Sequence, residues 1–288
     1  MNDPSAEVKA SSPIRTSLYE REGSMRGRLK RPSLRREDEL FPATFKAISK
    51  RFGIPVPNGL SPHPSDISHQ TSDISHPVSM IDESRSDDSD LCHEMLTTFG
   101  FTQDQMHRAA ERFRLGRSKS GKAIYWMIDD MGRCLDGHIG CTSHDANTWV
   151  STLLMRRYPA AAPYLKVNRC FFGLHQISLN ESKPIGLIES ERSAVLLSEL
   201  CPELLWLAYS YTTNCTIDNF EPLQGRKITL YPRTDPCKDY YISFLELADQ
   251  VKRAYKSIDI SVSHFLEDNA TDAQKQRDID LLEFMLEK

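Results

Sequence analysis

The sequence predicts an α/β protein built on a mainly parallel sheet, and three observations carry that expectation. From Lys183 onward, short apolar runs alternate with amphipathic helical patterns, the rhythm of strands joined by crossover helices. Two of those runs, Ile185–Ile188 and Ile228–Tyr231, end abruptly on polar clusters, Glu189-Ser190-Glu191-Arg192 and Pro232-Arg233-Thr234-Asp235. Upstream, the apolar stretches Lys122–Asp129 and Cys134–Cys141 frame the turn Asp130-Met131-Gly132-Arg133, which reads as a β-hairpin. The full expectation is α/β: a disordered tail over 1–90, a small α+β domain of helices plus hairpin over 91–180, and a Rossmann-type sheet over 181–288.

Residues 1–90 differ from the rest in composition. Arg21, Arg26, Arg28, Lys30, Arg31, Arg35 and Arg36 form a basic arm, with Gly23, Gly27 and Pro32 opposing a stable helix. Ser65-Asp66-Ile67-Ser68-His69 recurs as Ser72-Asp73-Ile74-Ser75-His76 in a stretch too polar to offset its ordering entropy. Only Phe41 to Phe52 hints at a short amphipathic helix, through Phe45, Ile48 and Phe52. The arm is either a solvated tail or a nucleic-acid contact.

From Leu91, the residues Met95, Phe99, Met106, Ala110 and Phe113 are spaced for two short helices joined at Gly100-Phe101-Thr102, with Thr102 as N-cap of the second and Gly116 as its stop. After the hairpin, Trp149–Tyr158 reads as a short helix. The later series runs strand Ile185–Ile188, helix Glu191–Leu200, strand Trp206–Tyr211, a loop and strand Ile228–Tyr231. Helix Tyr240–Tyr255, strand Ile258–Val262 and an acidic helix Ala273–Leu286 complete it.

Composition narrows the function classes. The chain is 39% hydrophobic and 26% charged with a formal net charge of −4, so any nucleic-acid surface must be local. No run approaches the roughly 18 apolar residues of a membrane helix, and the start lacks the apolar core of a secretory signal. The 7 cysteines form no CxxC pair, which reads as reduced thiols in a cytoplasm and gives neither a disulfide framework nor a zinc ribbon. The P-loop and zincin signatures are absent, as is an ordered Ser/His/Asp set. Acids collected at the C-terminal ends of two strands of an open α/β sheet most often hold a divalent ion over a phosphate, so Glu189 and Asp235 are candidate site residues. Each has a plainer reading, Glu189 as a helix N-terminal acid and Asp235 as a cap for the helix that follows. Tyr125 and Trp126 could stack on bases or lie in the core.

The ordered region resembles the toprim-containing, primase-like proteins of Bacteroidetes mobile genetic elements. The resemblance rests on Phe113-Arg114-Leu115-Gly116, Ile124-Tyr125-Trp126-Met127-Ile128-Asp129, Cys170-Phe171-Phe172-Gly173 and Ile188-Glu189-Ser190-Glu191-Arg192-Ser193-Ala194. Further on it rests on Leu223-Gln224-Gly225-Arg226-Lys227, Leu230-Tyr231-Pro232 and Asp280-Leu281-Leu282-Glu283. It implies a toprim fold for the parallel unit, with Glu189 as general acid/base and Asp235 as ligand of Mg²⁺ or Mn²⁺. It also implies a role in replication or mobilisation on single-stranded DNA, without a membrane, alongside a helicase or a separately encoded zinc-ribbon protein. Arg233 stands where the family places a metal-binding aspartate, and His138 where it places a lysine. A non-catalytic nucleic-acid-binding or scaffolding module with a degenerate site is the alternative. Arg233, Arg192, Arg226 and Lys227 are the candidate nucleic-acid contacts, and Asp280 and Glu283 candidate supports of the site or a solvated acidic face.

Overall fold

A computed structural model describes residues 79–140, 148–157, 169–210 and 215–287. The basic arm, the Phe41–Phe52 segment and the Ser-Asp-Ile-Ser-His repeats lie outside the described residues. The first helices are α1 (Ser79–Ser84), α2 (Asp90–Thr97) and α3 (Gln103–Arg112). Thr102 caps α3 as its sequence position predicts: its hydroxyl accepts from Gln105 N, and the Gln105 side chain accepts from Thr102 N. Gly116 is not a helix stop. The helix ends at Arg112, Arg114 turns the chain with φ 49°, and Gly116 opens strand β1 (Gly116–Arg117). A Cβ at Gly116 would stand 2.7 Å from the indole nitrogen of Trp126, so close backbone approach is the reason for glycine there.

Strands β1, β2 (Ala123–Ile128), β3 (Cys134–Ile139) and β4 (Thr148–Trp149) form an antiparallel sheet in that order, followed by α4 (Val150–Arg157). The β2–β3 pair is the expected hairpin. A 3₁₀ turn at Leu174–Leu179 leads to the second sheet. Its strands β5 (Ile185–Ile188), β6 (Leu205–Ala208), β7 (Lys227–Leu230) and β8 (Asp259–Val262) are all parallel, in the order β6-β5-β7-β8. Helices α5 (Glu191–Leu200) and α6 (Asp239–Ala254) connect them, as the alternating pattern requires. The loop expected between β6 and β7 contains a 3₁₀ helix, Ile217–Leu223, which holds Pro222. The C-terminal region is three short helices, α7 (Phe265–Asn269), α8 (Asp272–Lys275) and α9 (Leu281–Leu286), in place of one acidic helix. The break comes at Asp278, whose φ of 52° is left-handed, followed by Asp280 as N-cap of α9.

Alternation along the parallel strands sorts the core into two layers. Ile185 and Leu187 of β5, with Leu205 and Leu207 of β6, pack with Phe220, Phe244 and Val251 on one side. Ile188, Trp206 and Ala208 pack on the other with Ala194 and Leu197 of α5, Met95, Phe113 and Tyr125. The antiparallel sheet and the parallel sheet therefore share one apolar layer. Phe172 is the hinge of that contact: it stacks on Phe113 at 5.0 Å, meets Tyr125 edge-on at 5.6 Å, and pairs through its backbone with Ala208 at the outer edge of β6.

Trp206 lies flat against Gly186, where an added Cβ would stand 2.8 Å from the indole ring. Gly186→Ala should therefore destabilise the protein by about 1–3 kcal/mol through overpacking. A urea titration followed by tryptophan fluorescence reads this, and an unchanged midpoint would refute the close packing.

Candidate functional site

The strand order sets the position of the site. From β5 the chain moves to one side for β6 and returns on the other side for β7. That reversal opens a crevice beyond the C-terminal ends of β5 and β7, where open parallel sheets bind their ligands. Glu189 follows β5 directly and Arg233 follows β7 by three residues. Backbone bonds hold both exits: Ser210 N donates to Glu189 O at 2.8 Å, and Tyr231 N donates to Leu187 O at 2.8 Å.

In the crevice Arg233 Nε donates to Glu189 Oε2 at 2.6 Å. Burial raises the Glu189 carboxyl above its ordinary range and the Arg233 charge only partly pulls it back. Burial alone would loosen the Arg233 proton, but Glu189, with Tyr240, Tyr209 and Asp280, outweighs it and holds the guanidinium charged. The ring of Tyr240 lies 5.8 Å below the guanidinium.

Asp235 is buried and serves as a helix cap. Its Oδ1 accepts from the backbone N–H of Cys237 at 2.8 Å and of Asp239 at 3.2 Å, and its Oδ2 from Tyr240 at 3.0 Å. It does so because Lys238, the residue before α6, is left-handed and offers no side-chain cap. Asp235, Cys237 and Asp239 also bring one potential ligand atom each within 4.8 Å of one another, an arrangement that could hold a metal ion. A Mg²⁺ or Mn²⁺ ion held between Glu189 and Asp235 is a different matter. Such ions take oxygen ligands, and here the Glu189 carboxylate is ion-paired while both Asp235 oxygens carry backbone donors. These two residues, as arranged, do not fit the ion.

Asp280 and Glu283 form a reciprocal capping box at α9, with Glu283 N donating to Asp280 Oδ1 at 2.9 Å and Asp280 N to Glu283 Oε2 at 2.8 Å. Asp280 Oδ2 accepts from Ser193 Oγ at 2.5 Å, and Thr234 N donates to Ile279 O at 3.0 Å. The C-terminal segment is thereby tied to the first turn of α5 and to the segment after β7, so Asp280 borders the crevice.

The other basic candidates are engaged elsewhere. Arg192 makes a two-point contact with Glu94, at 2.6 and 3.1 Å, and lies over the Phe99 ring. Arg226 donates to the carbonyls of Ile177, Asn180 and Lys183, fastening the turn before β5. Lys227 is exposed, but it opens β7 and so lies at the far end of the strand from the crevice, about 10 Å from the Leu230 end at ~3.3 Å per residue. Tyr125 and Trp126 are buried and present no ring to a base. His175 bonds the Arg112 carbonyl at 3.1 Å, and burial lowers it to about 4, a neutral structural role.

One pair beside the crevice has no counterpart among the sequence candidates. Glu191 Oε1 and His138 Nδ1 lie 2.7 Å apart, both buried, joining the N-terminal turn of α5 to β3. His138 stacks on Trp149 at 4.7 Å, and Arg169 covers Trp149 at 3.8 Å while its Nε donates to buried Asp136. Residues 53 positions apart give no local sequence signal of such a pairing. The one hint is the resemblance noted from the sequence, which puts at position 138 a lysine, a residue able like His to pair with an acid.

Two outcomes follow from this geometry. Asp235→Ala should cost about 0.5–2 kcal/mol, the usual effect of losing an N-terminal cap, read by urea unfolding. The second concerns pH. Burial alone would raise Glu191 and lower His138, but their mutual attraction and hydrogen bond reverse both shifts. Unfolded, the two titrate near 4.5 and 6.5; folding lowers the acid and raises the base. Their contribution is largest between those values. It fades below 4.5 as Glu191 takes up a proton, and above 6.5 as His138 releases one. The stability difference between the natural protein and Glu191→Gln should follow that window, and a flat difference from pH 4 to 9 would contradict the ion pair.

Comparison with known proteins places the chain. A family model described as "Domain of unknown function (DUF6371)" matches residues 89–234. No curated protein matches. Among solved structures, a DnaG primase catalytic domain bound to ssDNA is 12% identical, over 68% of this chain and 74% of that one, with a TM-score of 0.46. The primase fragment of the bacteriophage T7 primase-helicase is 13% identical, over 64% and 72%, with a TM-score of 0.40. The Aquifex aeolicus primase, zinc-binding and RNA polymerase domains, is 13% identical, over 85% and 69%, with a TM-score of 0.43. Among the described residues no helix is long and apolar enough to cross a membrane. With half of its length matched, the chain belongs to the DUF6371 family.

Proposed function

We propose that this chain is a toprim-like DNA-processing protein of a mobile element, acting in replication or mobilisation, whose β5–β7 crevice binds single-stranded DNA without metal-dependent phosphoryl transfer. The observation that carries the reading is the Arg233–Glu189 ion pair at the crevice. A guanidinium fixed by one carboxylate keeps a planar fork of donors for a phosphate oxygen pair. Among the described contacts only Nε of Arg233 donates a hydrogen bond, which leaves both Nη groups for such a contact. Catalysis by Glu189 as acid/base with Asp235 as ligand would require Glu189 to leave Arg233 and Asp235 to leave its backbone donors. A helicase or a separately encoded zinc-ribbon protein is the partner such a module would serve.

Fluorescence anisotropy with a labelled oligo-deoxythymidine tests this reading. Binding should weaken steeply with salt, with a slope on logarithmic axes that shrinks by about 0.7 in Arg233→Ala, the share of one phosphate contact. Chelation by EDTA and Glu189→Gln should leave binding in place. Loss of binding on adding EDTA, or Mg²⁺-dependent strand synthesis or cleavage that disappears in Glu189→Gln, would overturn the proposal.

A further inference from the structure

The crevice gathers more carboxylates than cations. Arg233 touches Glu189, and Asp280, Asp278 and Glu283 all lie within its electrostatic reach, with Asp235 close to Asp278. Arg192, the other cation near this edge, already belongs to Glu94. Asp280 and Asp235 are held in place by hydrogen-bond donors that carry no charge: the Ser193 hydroxyl and the backbone N–H groups of Glu283, Cys237, Asp239 and Tyr240. Such donors orient a carboxylate without neutralising it. Arg233 is thus the cation in direct contact with this cluster, while Arg192 reaches Asp280 and Glu283 only from its pair with Glu94.

We propose that Arg233 is a tethered substitute for a divalent cation: its guanidinium holds Glu189 and neutralises the carboxylates around it, and so makes the crevice metal-independent. A guanidinium and a divalent ion both stabilise a carboxylate cluster, but they cannot share Glu189, because two positive centres about 4 Å apart repel strongly in a partly buried site. The same carboxylates, relieved of the guanidinium, have the oxygen chemistry that Mg²⁺ and Mn²⁺ take. Glu189, Asp278 and Glu283 are each raised above the ordinary carboxylate range, chiefly by burial, and the Arg233 charge pulls each of them back. Arg233 on this account fixes which ligand the crevice refuses: a divalent ion that would compete with the guanidinium for Glu189. The inference deepens the DNA-binding reading but is measured apart from it.

The test is Mn²⁺ binding by calorimetry on the full chain, without DNA. The natural protein should show no Mn²⁺ affinity that depends on Glu189, so its titration should match that of Glu189→Gln. Arg233→Ala should bind Mn²⁺ at least roughly tenfold more tightly than the natural protein, as expected when a competing charge leaves, and Arg233→Ala combined with Glu189→Gln should lose the gain. Any ion taken by Asp235, Cys237 and Asp239 is common to all four proteins and cancels in the comparison. Glu189-dependent Mn²⁺ binding in the natural protein would overturn the proposal, as would an Arg233→Ala variant that folds and gains nothing. Should Arg233→Ala fail to fold, the comparison of the natural protein with Glu189→Gln still decides the matter. Failure of DNA binding with metal exclusion intact would sink the functional reading alone, and the reverse result would sink this one.

Discussion

A central parallel strand covered on both faces must be apolar throughout, and that constraint organises the rest of this protein. Ile185, Leu187 and Ile188 fill the two core layers, and Gly186 is there because Trp206 takes the space of its side chain. No polar group can enter the strand itself, so its chemistry is displaced to the first residue beyond it. Glu189 is that residue. β7 is apolar on one face only, with Ile228 and Leu230 inside, Lys227 exposed and Thr229 half-buried, and Arg233 stands past its end. The strand order then brings the two exits side by side, and the crevice follows from the burial of the strands that frame it.

Charge at this boundary is handled by pairing. Two acids two positions apart, Glu189 and Glu191, leave water together and point to different partners, Arg233 and His138. Ser190 between them caps α5, its hydroxyl accepting from Ser193 N. A buried pair contributes little net stability against an apolar substitute, whereas an orphaned member is costly. These pairs therefore specify arrangement: Glu191 fixes the antiparallel sheet to α5, and Glu189 fixes the β7 exit to the β5 exit.

Much of this was legible in the sequence, and what escaped has a common cause. The bounds of β5 and α5, the hairpin and the Thr102 cap follow from period, turn residues and capping chemistry, all of which act over a few residues. Glu189 and Arg233 were legible as strand-end residues because the alternating pattern locates strand ends. Their contact was not, since pairing 44 residues apart is decided by strand order. Arg226 shows the same limit from the other side. Its charge reads as a phosphate contact, yet its geometry makes it a clamp on three carbonyls. The acidic pattern of Ala273–Leu286 suggests one helix, but a single left-handed residue, Asp278, divides it, and a left-handed backbone at a non-glycine residue carries no sequence signal.

The bond from Asp280 to Ser193 has a mechanical meaning. It joins the cap of the last helix to the first turn of the helix that follows Glu189, and Thr234 adds a second tie through Ile279. With Leu281 and Leu282 of α9 seated in the core, these two hydrogen bonds brace both walls of the crevice from the far end of the chain. The last helix is thereby fastened to the segments that carry both Glu189 and Arg233.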